Sequence, residues 1–175
     1  LGQPVDHELM ALYSQALREL GRFLGARSVL DVIAEAGGSA ERLATTLAGG
    51  MALYDDRGFY KRAQIAANDL ALAGVARFGD LDALTIFADN LVPHVLRCDG
   101  VLVYEPTLAA HIDAGHLLPP GPEEREIRGC ALHACELLSP RVGVPPRVLD
   151  MWLWTRGQDP EIKARPRHRS RSVYY

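Results

Sequence analysis

No apolar run in this chain reaches the roughly eighteen residues that a membrane-spanning helix needs. The opening residues, LGQPVDHELM, have neither a basic end nor an apolar stretch, so no signal peptide is read there. They also lack an initiator Met, which points to something preceding Leu1 in the natural chain. Cysteine is scarce: the three, Cys98, Cys130 and Cys135, form no CxxC pair. Cys130 and Cys135 fall on different faces of a helix, which offers no metal pattern. The expectation is buried, reduced thiols in a cytoplasmic protein. An excess of either charge is also lacking. The net charge of −3 gives no support to bulk electrostatic capture of a nucleic acid and suits a small charged ligand equally well.

What is present is a globular composition. Apolar residues make up 48% of the 175, which excludes a disordered chain and allows one domain with a substantial core. The periodicity predicts helices throughout. Asp6 is expected to cap a first helix reaching about Leu24, with Leu9, Leu12, Tyr13, Ala16, Leu17, Leu20 and Phe23 on one apolar stripe and Gly25 as its stop. Helices over 28–36 and 39–48 open on Ser28 and Ser39. After a loop at 51–58, long helices are expected over 59–76 and 81–98, joined by the Gly79-Asp80 turn. VLVYE (101–105) alternates like a short strand, too isolated to form a sheet. Helices over 106–114 and 123–138, and a last one opening at Pro145-Pro146, complete the reading. The class is all-α, with residues 1–175 forming one helical domain, or part of one.

Two strings place charged or amide residues inside apolar helical patterns: DDRGFYKRAQI (55–65) and FADNLVPHVLR (87–97). Buried charge is costly unless paired or used, so these are where chemistry is sought. In a helix over 81–98, Asp89 lies at the edge of a stripe of Leu84, Phe87, Ala88, Leu91 and Val95, beside Thr85 and Leu96. A carboxylate there can hold a fixed negative charge beside a ligand. Pro93 cannot donate to the Asp89 carbonyl, so a kink is expected. The plainer alternative is a boundary Asp meeting solvent or Arg97. Lys61 opens its helix, where a cation opposes the dipole. In an antiparallel hairpin about Gly79 it would be offset from Asp89 by about 9 Å along the axis. A solvated Lys61-Arg62 pair is the simpler reading. Gln64 can read an amide or base edge, or cap a neighbour. Asp55 and Asp56 suit a helix N-terminus, and the pair could also hold an amine or diol.

Other features read as structural. His133 and Glu136 have metal-ligand spacing but no matching pair on another helix, and His111 and His116 lie elsewhere. Glu126 and Arg128 are expected to form a salt bridge, and Gly129 to allow close helix packing. Trp152 and Trp154 point to different faces, one toward the core and the other toward a ligand or the tail. The tail RPRHRSRSVYY is basic, as in a nucleic-acid patch, but its terminal tyrosines argue for docking onto the body.

FYKRAQI (59–65), FGDLDALTIFADNLVPHVLR (78–97), EIRGC (126–130), LDMWLW (149–154) and RSRSVYY (169–175) occur in the order found in the queuosine salvage proteins, and the chain resembles that family from about Met51 onward. The family pattern at the second motif is close to FADYRVPQVLR; here Asn90, Leu91 and His94 replace Tyr, Arg and Gln. The resemblance implies a helix-hairpin-helix DNA glycosylase-like fold. It also implies hydrolysis of queuosine 5'-phosphate to free queuine for salvage into tRNA. Members are about twice as long, so the chain resembles their second half. The resemblance makes Asp89 the catalytic carboxylate and Lys61 a contact to the ribose phosphate region. Tyr60, Arg62, Gln64, Asp56, Asn90 and Arg97 complete the candidate substrate-binding set. The expected partner is that small molecule, with no cofactor, metal, membrane or direct nucleic-acid contact. Two alternatives are a glycosylase-like protein acting on nucleic-acid bases and a non-catalytic helical binding module.

Overall fold

Ser28 and Ser39 each stand just before an apolar-periodic run, and each starts a helix as its side chain dictates. In the computed structural model, which describes residues 2–175, Ser28 accepts the Asp31 amide while Asp31 reaches back to Ser28, a reciprocal cap on α2 (Val29–Glu35). Ser39 caps α3 (Ala40–Gly50) by accepting the Arg42 amide at 3.1 Å. Asp80 joins it, accepting from the Ser39 hydroxyl at 2.7 Å and the Ala40 amide at 2.6 Å. The helix before them, α1 (Glu8–Leu24), is capped by His7 rather than Asp6: the His7 Nδ1 accepts the Leu9 amide at 3.1 Å. Gly25, at φ 57°, ends it as expected. No residue of α1 is buried, and its apolar stripe stays largely exposed, with Leu17 at 53%.

The chain divides into two compact units, Leu1–Leu81 and Asp82–Tyr175. In the first, α3 packs on α4 (Lys61–Leu72) through Ala44, Ala48 and Ala63, with Leu47, Tyr54 and Tyr60 closing the cluster. Alanine at all three contacts lets the two backbones approach closely. Gly50, the last residue of α3, makes room for a side chain of α1, since a Cβ there would meet the Phe23 ring at 2.2 Å. The expected loop at 51–58 contains a 3₁₀ turn, Ala52–Tyr54, and α4 starts at Lys61 instead of residue 59.

The second unit holds α5 (Val92–Cys98), α6 (Pro106–Asp113), α7 (Pro122–Val142), α8 (Pro146–Arg156) and a one-turn α9 (Pro160–Lys163). α5 packs against both α7 and α8. Its core joins Leu91 and Val95 to Ile162 of α9, while Ile112, Leu118 and Ile127 form a second cluster under α6. Among the described residues there are helices and 3₁₀ turns but no strand, so the all-α class holds and 101–105 is not a strand. α7 runs past Leu138 to Val142: Pro140 lies in its last turn, and the Ser139 hydroxyl donates to the Val144 carbonyl to close the end.

The largest departure from the periodicity lies at 81–98. Instead of one helix there is a 3₁₀ turn, Leu81–Ala83, an irregular segment over 84–88, and then α5. Leu84, Phe87, Ala88, Leu91 and Val95 are all buried, yet they do not share one helical stripe. Pro93 is the physical reason. It sits in the first turn of α5, where no backbone N–H is needed, so it starts a helix and does not kink one. The helix over 81–98 that a helical hairpin about Gly79 requires therefore does not form.

Candidate active site

The irregular segment before α5 is held by buried charge. Asp150 of α8 accepts the Phe87 amide at 2.9 Å, and the Arg128 Nε of α7 donates to the Ala88 carbonyl at 2.9 Å. Both side chains are buried, Arg128 to 1% exposure. Arg128 also pairs with Glu124, one turn earlier, at 3.3 Å; Glu126 is exposed and is not its partner. Backbone groups that would otherwise lack partners are satisfied this way, so the segment can leave helical geometry and still be buried.

Asp89 follows directly. Its Oδ1 accepts the amides of Leu91 at 2.7 Å and Val92 at 3.1 Å, so the carboxylate caps α5. Its negative charge then lies at the positive end of a helix. Asp89, Asn90, Leu91 and His94 form one wall of a cavity of about 430 Å3. Trp154, Gly157 and Gln158 from the end of α8 form a second wall, and Lys163, Arg165 and Arg167 the third. His94 is buried, with Nε2 3.0 Å from the Ile162 carbonyl. Burial, reinforced by the nearby Arg167, Arg165 and Arg97, lowers its pKa, while the Ile162 contact opposes the shift. The ring is neutral near pH 7 and adds no charge to the wall.

The tail builds the third wall by docking, as its tyrosines predicted. The Leu118 amide donates to the Arg169 carbonyl at 2.9 Å, and the Tyr175 hydroxyl donates to Glu124 at 2.7 Å. The Asn90 amide donates to the His168 carbonyl at 3.2 Å, tying the tail to the Asp89 turn. His168 is 1% exposed and lies edge-on to the Tyr175 ring. Burial first, and the Arg128 charge after it, push its pKa down to about 4.

The other predicted residues divide between this unit and the first. Arg97 is spent on a two-pronged pair with Asp113 at 2.9 Å and on the Tyr104 ring, and does not line the cavity. In the first unit, Tyr60 is the one non-glycine at positive φ (48°) among the described residues, and it precedes Lys61 at the start of α4. Asp56 is buried, and its carbonyl accepts from Phe59 and Tyr60. Arg62 donates to the Leu53 carbonyl at 3.2 Å and lies over the Tyr54 ring. Gln64 is buried and donates to the Phe59 carbonyl at 2.7 Å, so it caps a neighbour. Asp55 pairs with Arg57.

Several expectations are corrected. Cys130 is exposed, not buried, and a Cβ at Gly129 would meet nothing within 4 Å, so that glycine serves no close packing. Neither Trp152 nor Trp154 is core; the buried positions of α8 are Leu149 and Asp150. Lys163, Arg165, Arg167 and Gln158 were missed. Arg165 and Arg167 belong to the every-second-residue series Arg165, Arg167, Arg169 and Arg171, in which exposed Arg167 and Arg169 flank buried His168; Lys163 and Gln158 carry no such signal.

The family model for the queuosine salvage protein matches residues 4–175. The chain belongs to the queuosine salvage protein family. It is 36% identical over 183 aligned positions to the queuosine 5'-phosphate N-glycosylase/hydrolase of Sphaerobacter thermophilus, covering 93% of this chain and 57% of that protein. It is 31% identical over 201 positions to the protein of the same name from Mus musculus, covering 98% and 60%. This queuosine salvage family chain thus spans under two thirds of the length of these relatives. No helix among the described residues is long and apolar enough to cross a membrane.

Proposed function

We propose that this chain carries the catalytic carboxylate of an N-glycosyl hydrolase that releases queuine from queuosine 5'-phosphate. The observation that carries the reading is Asp89. It lies within residues 4–175, which the family model matches, in the string that resembles the family's FADYRVPQVLR pattern, and its carboxylate is held at a helix N-terminus in the lining of a ligand-sized cavity. The relatives' names supply the substrate. The continuous match over residues 4–175 supports treating the chain as one family domain; the helix-hairpin-helix glycosylase-like fold is what the resemblance implies.

The chemistry follows from charge. Breaking the bond between ribose C1' and the base nitrogen leaves positive charge on the ribose ring, and a fixed carboxylate against that face stabilises it. Water then bonds to C1', one of its protons is taken up with help from the same carboxylate, and the base nitrogen leaves protonated. The products are queuine and ribose 5-phosphate. A 7-deazaguanine base has no N7 to accept a proton, so positioning and ribose stabilisation carry more of the barrier. Asn90 lies beside Asp89 in the cavity wall and supports substrate contact. Lys61 is assigned to the ribose phosphate region, presented by the Tyr60 turn. Asp56, Arg62, Gln64 and Arg97 are engaged with the protein's own groups and are assigned to holding the structure.

Mixing the chain with queuosine 5'-phosphate and following products by chromatography with mass detection tests the reading. Free queuine is expected. Asp89→Asn keeps an oxygen to cap α5, so its circular dichroism should match the parent while turnover falls about a thousandfold or more, roughly 4 kcal/mol of transition-state stabilisation. No queuine from a folded sample, or substantial turnover by Asp89→Asn, overturns it. Ligand-induced stabilisation without product would leave a binding module.

A further inference from the structure

We propose that Tyr175 is a positioning residue for the Asp89 carboxylate and acts on it through Glu124 and Arg128. The inference rests on the Asp89 reading above. It gives the RSRSVYY tail a part in that reaction that needs no contact with substrate.

Little holds the chain just before Asp89. Residues 84–88 are irregular, so no helix of their own fixes them. The Ala88 carbonyl belongs to the planar peptide unit that ends at the Asp89 Cα. A bond to that oxygen therefore sets the plane from which the carboxylate projects. Arg128 makes it, from Nε, at 2.9 Å. On the other side the carboxylate takes the Leu91 and Val92 amides. Asp89 is thus placed by the start of α5 and by Arg128 together.

An arginine side chain is long, and one bond to a carbonyl does not fix its rotamer. What orients this one lies at its far end. Nη1 pairs with the Glu124 Oε1 at 3.3 Å, and the same oxygen accepts the Tyr175 hydroxyl at 2.7 Å. The Tyr175 ring covers the guanidinium, its centroid 5.1 Å from Cζ. That ring is in turn edge-on to buried His168. Arg128 and Glu124 are both buried, where hydrogen bonds are strong and a misaligned one is costly. Tyr175 does not line the Asp89 cavity. Its influence passes through two side chains and one peptide plane, each in contact with the next. EIRGC and RSRSVYY, two strings that the chemistry at Asp89 does not itself use, meet at this point.

Arg128 is a poor probe, because its removal strands a buried carboxylate. Tyr175 is half-buried and can be changed with the core intact. Steady-state kinetics of the full chain on queuosine 5'-phosphate, well below its melting temperature, test the assignment. Tyr175→Ala should lower kcat about tenfold or more while KM stays within about twofold, the signature of a displaced catalytic group. Tyr175→Phe keeps the ring over Arg128 and loses the hydroxyl, so its kcat should fall between the two. A purely structural role would lower the melting temperature and leave the kcat of a folded sample unchanged. The Leu91 and Val92 amide resonances, which report the Asp89 cap, should also shift in Tyr175→Ala, a readout independent of turnover. A parent-like kcat in Tyr175→Ala overturns the inference and leaves the Asp89 reading standing. A change confined to KM makes Tyr175 a substrate contact, and overturns it too. No turnover by the folded parent overturns the Asp89 reading itself, and the coupling of Tyr175 to Asp89 then stands or falls on the amide shifts.

Discussion

Asp89 does two things with one side chain. It satisfies two amides at the start of α5 and presents negative charge to a cavity. Asn can do the first and not the second, which makes Asp89→Asn more informative than truncation to Ala. Arg128 is the opposite case, with every direction of its guanidinium spent inside the protein: on Ala88, on Glu124 and on the Tyr175 ring. Replacing it with Met strands the buried Glu124 carboxylate and the Ala88 carbonyl. The expected cost is about 3–5 kcal/mol in urea unfolding, with part recovered by adding Glu124→Gln. His168 sets a pH dependence. Its folded pKa of about 4 lies below the ordinary imidazole value of 6.5, so the unfolded chain binds the proton first as pH falls. The stability it contributes is complete above pH 6.5 and is lost between 6.5 and 4, up to roughly 3 kcal/mol. His168→Gln should flatten this part of the stability-against-pH curve; an identical slope in the variant would show that other groups titrate there.

At the level of elements, start signals were more reliable than periodicity. Ser28, Ser39 and Pro106 open helices where the sequence placed them. Their effect is local: a side-chain oxygen or a fixed φ serves the first turn whatever the rest of the chain does. Residues 81–91 satisfied a helical pattern of apolar residues and did not form the helix. Buried non-helical chain needs partners for its backbone groups, and those come from Asp150 and Arg128, more than thirty residues away in sequence. The Asp80 cap on α3 is another long-range device invisible to local reading. Asp80→Ala removes acceptors for the Ser39 hydroxyl and for the Ala40 and Glu41 amides. It should lower the stability of the first unit by about 1–2 kcal/mol, measured by hydrogen exchange of α3 amides.

For the whole molecule, the end of the chain carries more than its position implies. Deleting residues 168–175 removes the Tyr175–Glu124 bond, the edge-on His168–Tyr175 contact and the tether to Asn90. The expected result is a second unit that unfolds several degrees lower, with weaker substrate binding from loss of order at the Asp89 turn. Unchanged melting would mean the tail contributes no stability. The family assignment is also a whole-chain property. It rests on a match that runs from residue 4 to residue 175 and not on one motif.

The sequence by itself determined the helical class, most helix starts, the docking of the tyrosine-ended tail and the identity of Asp89 as the residue to examine. These follow from local propensity, capping chemistry and a motif that depends on no fold reasoning. The tertiary structure alone decided that Asp89 caps α5 and lies in no helix of its own. It also decided that Arg97 and Gln64 are occupied within the protein, and that Lys163, Arg165 and Arg167 share a cavity with the carboxylate. Residues some seventy positions apart meet only through packing of α5 against α8 and through the buried anchors of the tail. No spacing rule along the chain encodes such a meeting.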